Sequence, residues 1–238
     1  MSHLLQSRSF LTFSALFLAF LSPALGQKSG SKSDEKTSKP QLRFICATSL
    51  AEEQEIVLAS SDEKGALVEL GTVTLRASFV SDWLPAKVGD LHLALREGKT
   101  LKSIGHFQYP VDITSALVVL NANVGKKTYE ATVVDPEKTG FIKGSVLIIN
   151  FSPRNGLVSL DSKENKVEAG QQVLAKPTLD GNGMYPVVAS YLDADANPVP
   201  CYDRLVSGNP NSRNMLLLLQ DDTVGLRVLS LTIFGELK

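Results

Sequence analysis

Residues 144–160 read Gly-Ser-Val-Leu-Ile-Ile-Asn-Phe-Ser-Pro-Arg-Asn-Gly-Leu-Val-Ser-Leu. The run 146–149 is apolar and rich in β-branched residues. It is too short to cross a membrane, and it predicts a strand covered on both faces. Pro153 and Asn155-Gly156 favour a turn, the latter by supplying left-handed positions, and 157–160 resumes an extended pattern. The segment therefore predicts a β-hairpin with strands 146–149 and 157–160.

Alternation of apolar and polar residues predicts strands along the rest of the chain. Val73 and Leu75 alternate with Thr72 and Thr74, for example. No helical period extends over a dozen residues after the N-terminal region, and strands recur about every ten residues between polar turns, which is typical of sandwiches and barrels. The sequence predicts an all-β protein. The further predicted strands cover 41–47, 55–60, 72–79, 91–95, 115–121, 127–134, 172–175, 186–192, 199–206, 215–220 and 226–234.

A break in the strand pattern at 135–143 divides the ordered region into halves of about 100 residues, the usual size of one immunoglobulin-like sandwich. We expect two immunoglobulin-like-sized β-sandwich domains, 41–142 and 143–238. The alternative is one larger sandwich or barrel that spans the whole region. No sequence repeat relates the halves, so the sequence leaves both arrangements open.

The N-terminal region has the pattern of a secretory signal peptide. Arg8 precedes the apolar run 11–21, and small residues follow at Ala24 and Gly26. The run is shorter than a membrane span. We expect a signal peptide over 1–26 and a disordered linker over 27–40, a polar segment that has nothing to bury. The mature protein is expected to be periplasmic or extracellular, without a membrane span.

Residues 141–153 and 167–172 carry a family resemblance. A Gly-Ser pair, an apolar run, the Asn-x-Ser triplet at Asn150 and a later Ala-Gly turn follow one another. Over residues 141–172 this order resembles uncharacterised secreted bacterial all-β proteins. The resemblance implies export and β structure, and it carries no activity to transfer. Asn150 itself is interpreted as a strand-end residue whose side chain bonds the adjoining turn.

Composition excludes several classes of function. The chain has 24 Lys+Arg against 25 Asp+Glu, so nothing in its charge points to nucleic acid. Aromatic residues make up only 7%, which argues against rows of stacking platforms. No Gly-x-Ser-x-Gly nucleophile elbow occurs. Past the predicted signal the histidines are His92 and His106, interpreted as surface residues, so neither a zinc site nor any cofactor is predicted.

Asp193, Asp195 and Asn197 form the one cation-like pattern. Oxygen-bearing residues at alternate positions resemble the first half of a calcium loop. However, Pro198 stands where that loop requires glycine, and Arg204 stands where it requires the bidentate glutamate. The favoured interpretation is a polar turn, with calcium as the alternative.

Cys46 and Cys201 are the two cysteines of the chain. An exported chain matures under oxidising conditions, so they are a disulfide candidate. The bond would close a long loop and contribute about 4–5 kcal/mol in chain-entropy terms. Yet nothing in the sequence brings the two residues together, and Cys46 is in register with the apolar Leu42 and Phe44. We expect two free, mostly buried thiols.

These observations favour an exported, non-catalytic protein of the bacterial cell envelope, with a structural, assembly or ligand-binding role. Its partner would be an envelope protein or a glycan. The alternative is a small hydrolase or carbohydrate-active domain, which would need two carboxylates across a cleft. The absence of a nucleophile or metal signature favours the first function.

Overall fold

Sixteen β-strands and no helix make up the described part of the chain, which confirms the all-β prediction. A computed structural model describes residues 39–221, 223, 225–234 and 237. The predicted signal peptide and most of the predicted linker lie outside these residues. Within the described residues, no helix has the length and apolar character needed to cross a bilayer.

The strands are β1 (Gln41–Thr48), β2 (Glu53–Ser61), β3 (Leu67–Arg76), β4 (Leu84–Pro85), β5 (Gly89–Glu97), β6 (Thr100–Tyr109), β7 (Ser115–Asn123), β8 (Thr128–Val134), β9 (Val146–Asn150), β10 (Gly156–Leu160), β11 (Lys163–Val167), β12 (Gln172–Ala175), β13 (Met184–Leu192), β14 (Pro198–Ser207), β15 (Arg213–Asp221) and β16 (Gly225–Ile233). Three of them, β4, β6 and β11, were not predicted.

The strands form four sheets of four strands each. Sheet I has the order β3-β2-β5-β6, and sheet II has the order β4-β1-β7-β8. Sheet III has the order β12-β9-β15-β16, and sheet IV has the order β11-β10-β13-β14. Strands up to β8 therefore build sheets I and II, and strands from β9 onward build sheets III and IV. This change of sheets falls at the predicted break in the pattern.

Three apolar cores lie between the four sheets. One sheet can contribute to two cores, because successive side chains of a strand point to opposite faces. Core I lies between sheets I and II and includes Val118 of β7. Core II lies between sheets II and III and includes Val119 of β7 and Leu217 of β15. Core III lies between sheets III and IV and includes Leu216 of β15. Sheets II and III are thus covered on both faces, as the apolar run 146–149 predicted, and all of β9 is buried.

The predicted hairpin of 146–149 with 157–160 is wrong. The first of these strands is β9 of sheet III, paired with β12 and β15, whereas the second is β10 of sheet IV, paired with β11 and β13. The turn between them carries the chain from one sheet to the next. Neither Asn155 nor Gly156 has a positive φ. Gly156 instead packs closely, since a Cβ there would lie 2.7 Å from Leu218 Cδ1 and the Leu218 side chain would have to shift.

Asn150 organises this crossover, as its sequence position predicted. It is 1% exposed. Its Nδ2 donates to the carbonyl oxygens of Arg154 (2.8 Å) and Val167 (3.0 Å), and its Oδ1 accepts from Ser152 N (2.9 Å). The side chain therefore satisfies backbone groups that the tight crossover would otherwise leave buried and unpaired.

The two halves repeat one topology without a recognisable sequence repeat. In sheet II, β1 pairs in parallel with β7, and β7 pairs antiparallel with β8. In sheet III, β9 pairs in parallel with β15, and β15 pairs antiparallel with β16. Each half thus ends in a hairpin, β7–β8 in the first half and β15–β16 in the second. These two hairpins supply most of the site described next.

Candidate functional site

The apolar face of sheet II becomes polar at one end of core II. Along β7, Leu117 and Val119 pack into the core, and Asn121 follows two residues later. Its direct neighbour on β8 is Glu130. Because side chains two residues apart share a face of a strand, Asn121 continues the apolar row as a polar group at the rim.

The corresponding end of sheet III forms the facing wall. Leu219 on β15 is the last core residue of its row and pairs with Arg227 on β16. Gln220 follows directly after it. The crossover after β9 adds Phe151 and the buried Ser152 to the same wall.

A cleft of about 740 Å³ separates these walls, within the usual range of small-ligand sites. Residues from strands β1, β7, β8, β15 and β16 and from three connecting turns converge on it. Its described lining comprises Thr48, Asn121, Ala122, Asn123, Val124, Glu130, Phe151, Ser152, Pro153, Ala169, Gly170, Leu219, Gln220 and Arg227.

Hydrogen bonds fix part of this lining and leave other groups for a ligand. Thr48 Oγ1 donates to Asn121 Oδ1 (2.8 Å) and accepts from Ala122 N (3.0 Å). Asn123 Oδ1 accepts from Lys126 N (3.1 Å). Within the described residues, the amide nitrogens of Asn121 and Asn123 make no hydrogen bond. The cleft therefore presents amide donors that are held in place through their oxygens.

Glu130 and Arg227 are the charged groups of the described lining, and both are exposed. No ion pair between them occurs in the part of the chain described. The cleft thus carries one carboxylate and one guanidinium, and its formal charges balance.

The described lining offers neutral hydrogen-bonding groups, one carboxylate and an apolar surface. A glycosidase mechanism uses two carboxylates, and Glu130 is the one carboxylate among the described lining residues. The hydroxyl of Ser152 donates to Arg154 O (2.9 Å) inside the crossover, so it serves the turn. What the cleft supplies is a set of neutral donors and acceptors beside the apolar surface of Phe151 and Leu219.

Asp193, Asp195 and Asn197 lie in the turn between β13 and β14. None of the three is among the described lining residues of the cleft. Asp193 Oδ1 accepts from the backbone N–H groups of Asp195 (2.9 Å) and Asn197 (2.8 Å). The turn places Ala196 at a φ of 62°. One oxygen of Asp193 is therefore used to close the turn.

Two other turns have the same construction and lack the alternating acidic pattern. Asp62 Oδ1 accepts from Lys64 N and Ala66 N, and Asp180 Oδ1 accepts from Asn182 N and Met184 N. In both, glycine takes the left-handed position that Ala196 takes in the third turn. No group of three or more His, Cys, Asp or Glu residues in the described ranges is placed to hold a metal ion.

Cys46 and Cys201 are both free thiols and pack against different cores. Cys46 is fully buried in core I, and its Sγ donates to Thr48 O (2.8 Å). Burial raises the pKa of the Cys46 thiol to about 12. Cys201, on β14, packs at the margin of core III, and burial raises its pKa as well. Both environments favour the uncharged thiol, the less reactive form.

The sequence gives no specific signal for the cleft. Its walls come from strand ends that are distant in the chain, such as Asn121 and Gln220. The available signal was an apolar row that ends in polar residues, and many exposed strand ends share that pattern.

Comparison with known proteins yields no relative from which a function could be transferred. No protein-family model matches the chain, and a search of curated proteins found no significant match.

Proposed function

We propose that the protein is an exported, non-catalytic binding protein of the bacterial cell envelope, and that the cleft between sheets II and III holds a short segment of an envelope glycan. The observation that carries this proposal is the convergence of amide groups and one balanced pair of charges in a cleft of about 740 Å³. Neutral donors and acceptors suit the hydroxyl and acetamido groups of sugars. A protein partner would instead need a broad contact surface of about 800 Å² on each side.

The experiment is a titration of the full chain with soluble oligosaccharide fragments of the envelope, followed by amide chemical shifts. Shift changes are expected at the ends of β7 and β15. Asn121→Ala and Gln220→Ala should each weaken binding about 2- to 10-fold, the range that one lost hydrogen bond of about 0.5–1.5 kcal/mol supports. Asn197→Ala, in the β13–β14 turn, is the control and should leave the affinity unchanged. Binding that maps elsewhere, or that survives both cleft substitutions, would contradict the proposal.

A carbohydrate-active enzyme is the alternative, with Glu130 as its acid or base. The single carboxylate in the described lining favours binding. The discriminating measurement is release of reducing ends from the same fragments. Turnover that disappears in Glu130→Gln while binding persists would favour the enzyme.

Export is the second part of the proposal, and it is supported by the apolar run 11–21 and the small residues up to Gly26. The exported protein is expected to begin at Gln27. Intact mass of the protein recovered outside the cytoplasm provides the test, and a mass that still includes Met1 would overturn it.

A further inference from the structure

A second pocket adjoins the cleft at the crossover between β9 and β10. Its volume is about 680 Å³. The crossover residues Pro153, Arg154 and Asn155 form one side, and the end of β13 with the turn that follows forms the other. Pro153 lines both the cleft and this pocket, so the two cavities are adjacent. The second cavity is called the Arg154 pocket below.

Arg154 is held against an aromatic ring in this pocket. Its guanidinium carbon lies 4.6 Å from the centre of the Tyr191 ring, a distance at which a cation and a ring attract each other. Gly225, the first residue of β16, leaves room for this stack, since a Cβ there would lie 2.8 Å from Tyr191 Cε1 and 3.4 Å from Arg154 Nη1. The backbone beside the stack is tied as well, because Leu192 N donates to Asn155 O (2.9 Å). The guanidinium is therefore oriented before a ligand arrives.

The side-chain donors of Arg154 have no acceptor within the described residues, although its guanidinium is stacked. Arg43, which stacks on Trp83 in the same way, is different. It donates from Nε and Nη2 to Ser81 O (3.1 and 3.0 Å). Arg43 therefore serves the structure of sheet II, whereas the exposed Arg154 presents its planar set of N–H donors to the pocket.

The other polar groups of the pocket suit a sugar. Asn155 Oδ1 accepts from Ala169 N (3.0 Å), and the amide nitrogen of Asn155 makes no hydrogen bond in the described part of the chain. Asp193 Oδ1 closes the β13–β14 turn, and its second oxygen is left to accept from a hydroxyl group. Arg154 and Asp193 are the charged residues of the described lining. The pocket therefore offers one cation for an acidic group, and Asp193 disfavours a ligand that carries several negative charges.

We propose that the Arg154 pocket is a second subsite of the glycan-binding cleft, in which Arg154 binds the carboxylate of an acidic sugar. A guanidinium and a carboxylate are both planar and can form two parallel charge-assisted hydrogen bonds. A glycan in the cleft passes Pro153 and places its next acidic sugar against Arg154, with the hydroxyl groups of that sugar near Asn155 and Asp193. The inference rests on the proposed function and narrows its ligand to carboxylated glycans.

The test titrates the full chain with two forms of one ligand. The first is a short oligosaccharide of alternating N-acetylglucosamine and N-acetylmuramic acid with free carboxylates, and the second is the same oligosaccharide after reduction of its carboxylates to alcohols. The carboxylated form should bind about 10-fold more tightly, as expected for one charge-assisted pair. Arg154→Gln should remove this difference, and Arg154→Lys should retain only part of it, because lysine keeps the charge but lacks the planar fork. Arg204→Gln, which removes an exposed arginine of β14 outside both cavities, is the control and should leave the difference intact.

Equal affinities for the two forms, or a preference that survives Arg154→Gln, would overturn the subsite. If both forms still bind and depend on Asn121 and Gln220, the proposed cleft stands without it. A preference that requires Arg154 but neither Asn121 nor Gln220 would support the Arg154 pocket and contradict the cleft. No binding of either form would overturn the subsite, and the titration with other envelope fragments then decides on the cleft. Arg154 is exposed, so its variants should keep the melting temperature of the unmodified protein.

Discussion

Glu130 and Arg227 hold equivalent positions in the two halves of the protein and line opposite walls of the same cleft. Glu130 pairs with Asn121, which lies two residues before the end of β7, and Arg227 pairs with Leu219, which lies two residues before the end of β15. The repeated topology thus places an acidic residue and a basic residue at equivalent positions of the hairpins β7–β8 and β15–β16.

This pair is expected to contribute little to stability. Among the described residues no ion pair joins the two side chains, and both are exposed. Glu130→Gln and Arg227→Gln should each change the free energy of unfolding by less than about 0.5 kcal/mol. Urea denaturation of the two single variants and the double variant provides a double-mutant cycle. A coupling energy well above about 0.5 kcal/mol would reveal an ion pair and contradict this arrangement.

Core II predicts that the two halves unfold together. Leu217 of β15 and Val119 of β7 are both fully buried in this core, so both halves contribute to it. Leu217→Ala should lower the free energy of unfolding by about 2–5 kcal/mol, the usual cost of such a cavity.

The single tryptophan makes this coupling measurable. Trp83 lies in the first half, whereas circular dichroism reports all strands. Leu217→Ala should shift the urea midpoint of Trp83 fluorescence as far as the midpoint of circular dichroism. Leu58→Ala, confined to core I, is the matched substitution in the first half. If Leu217→Ala leaves the urea midpoint of Trp83 fluorescence unchanged, the halves are independent domains.

The sequence predicts the fold class and many strands because alternation and apolar runs are local properties. Residues 72–76 alternate and belong to β3, and 146–149 is apolar throughout and belongs to the central strand β9. By contrast, Lys163–Val167 is dominated by charged and polar residues, which suit the edge of sheet IV and hide the strand β11. Its pattern gives no apolar face to recognise.

Strand pairing and sites are less predictable because they depend on contacts distant in the chain. Pro153 and Gly156 favour a turn, but turn chemistry does not say whether the chain returns to the same sheet or crosses to another. The cleft requires the register of β7–β8 and of β15–β16 at once. The pairing of β5 with β6 likewise includes a register shift between Leu93 and Ala94 that the strand pattern does not reveal.

Buried tyrosines predict a loss of stability at alkaline pH. Burial raises the pKa of Tyr109, Tyr129 and Tyr185 from 10 to about 12. The unfolded chain then releases these protons at lower pH than the folded protein does, so the stabilisation is complete below pH 10 and is lost as pH rises through 12. Melting temperatures measured between pH 9 and pH 12, together with tyrosinate absorbance, test this.

Tyr129→Phe is the informative variant for that alkaline loss. The Tyr129 hydroxyl donates to Gln54 Oε1 (2.9 Å) and accepts from Leu50 N (3.2 Å). The variant should be less stable near neutral pH, by about 1–2 kcal/mol, because both partners lose a bond. Its melting temperature should nevertheless fall less steeply with pH, since one titrating group is gone. An equally steep fall would assign the alkaline loss to other groups.

The hydrogen bonds of the β13–β14 turn predict that calcium does not change the stability of the protein. Asp193 closes the turn through two backbone N–H groups, as Asp62 and Asp180 do in turns without the acidic pattern. Asp193→Ala should cost about 1 kcal/mol of stability in the absence of any metal. Asp195→Ala should be close to neutral. Saturating calcium should leave the melting temperature of the unmodified protein unchanged, and a rise that Asp195→Ala abolishes would establish a calcium site.

The placement of Cys46 and Cys201 predicts two unpaired thiols with different accessibility. Cys46 belongs to core I, Cys201 packs against core III, and core II lies between those cores, so the chain does not bring the two sulfurs together. In the native protein Cys201 should react first with a thiol reagent, because it is only half-buried. Cys46 should react only as the protein opens, since its thiol is fully buried and its pKa is raised to about 12.

After denaturation without reductant, two thiols per chain should be counted. A count of zero would demonstrate a Cys46–Cys201 disulfide, and that bond would require a different packing of the sheets, since bridged Cα atoms lie within about 7 Å of each other.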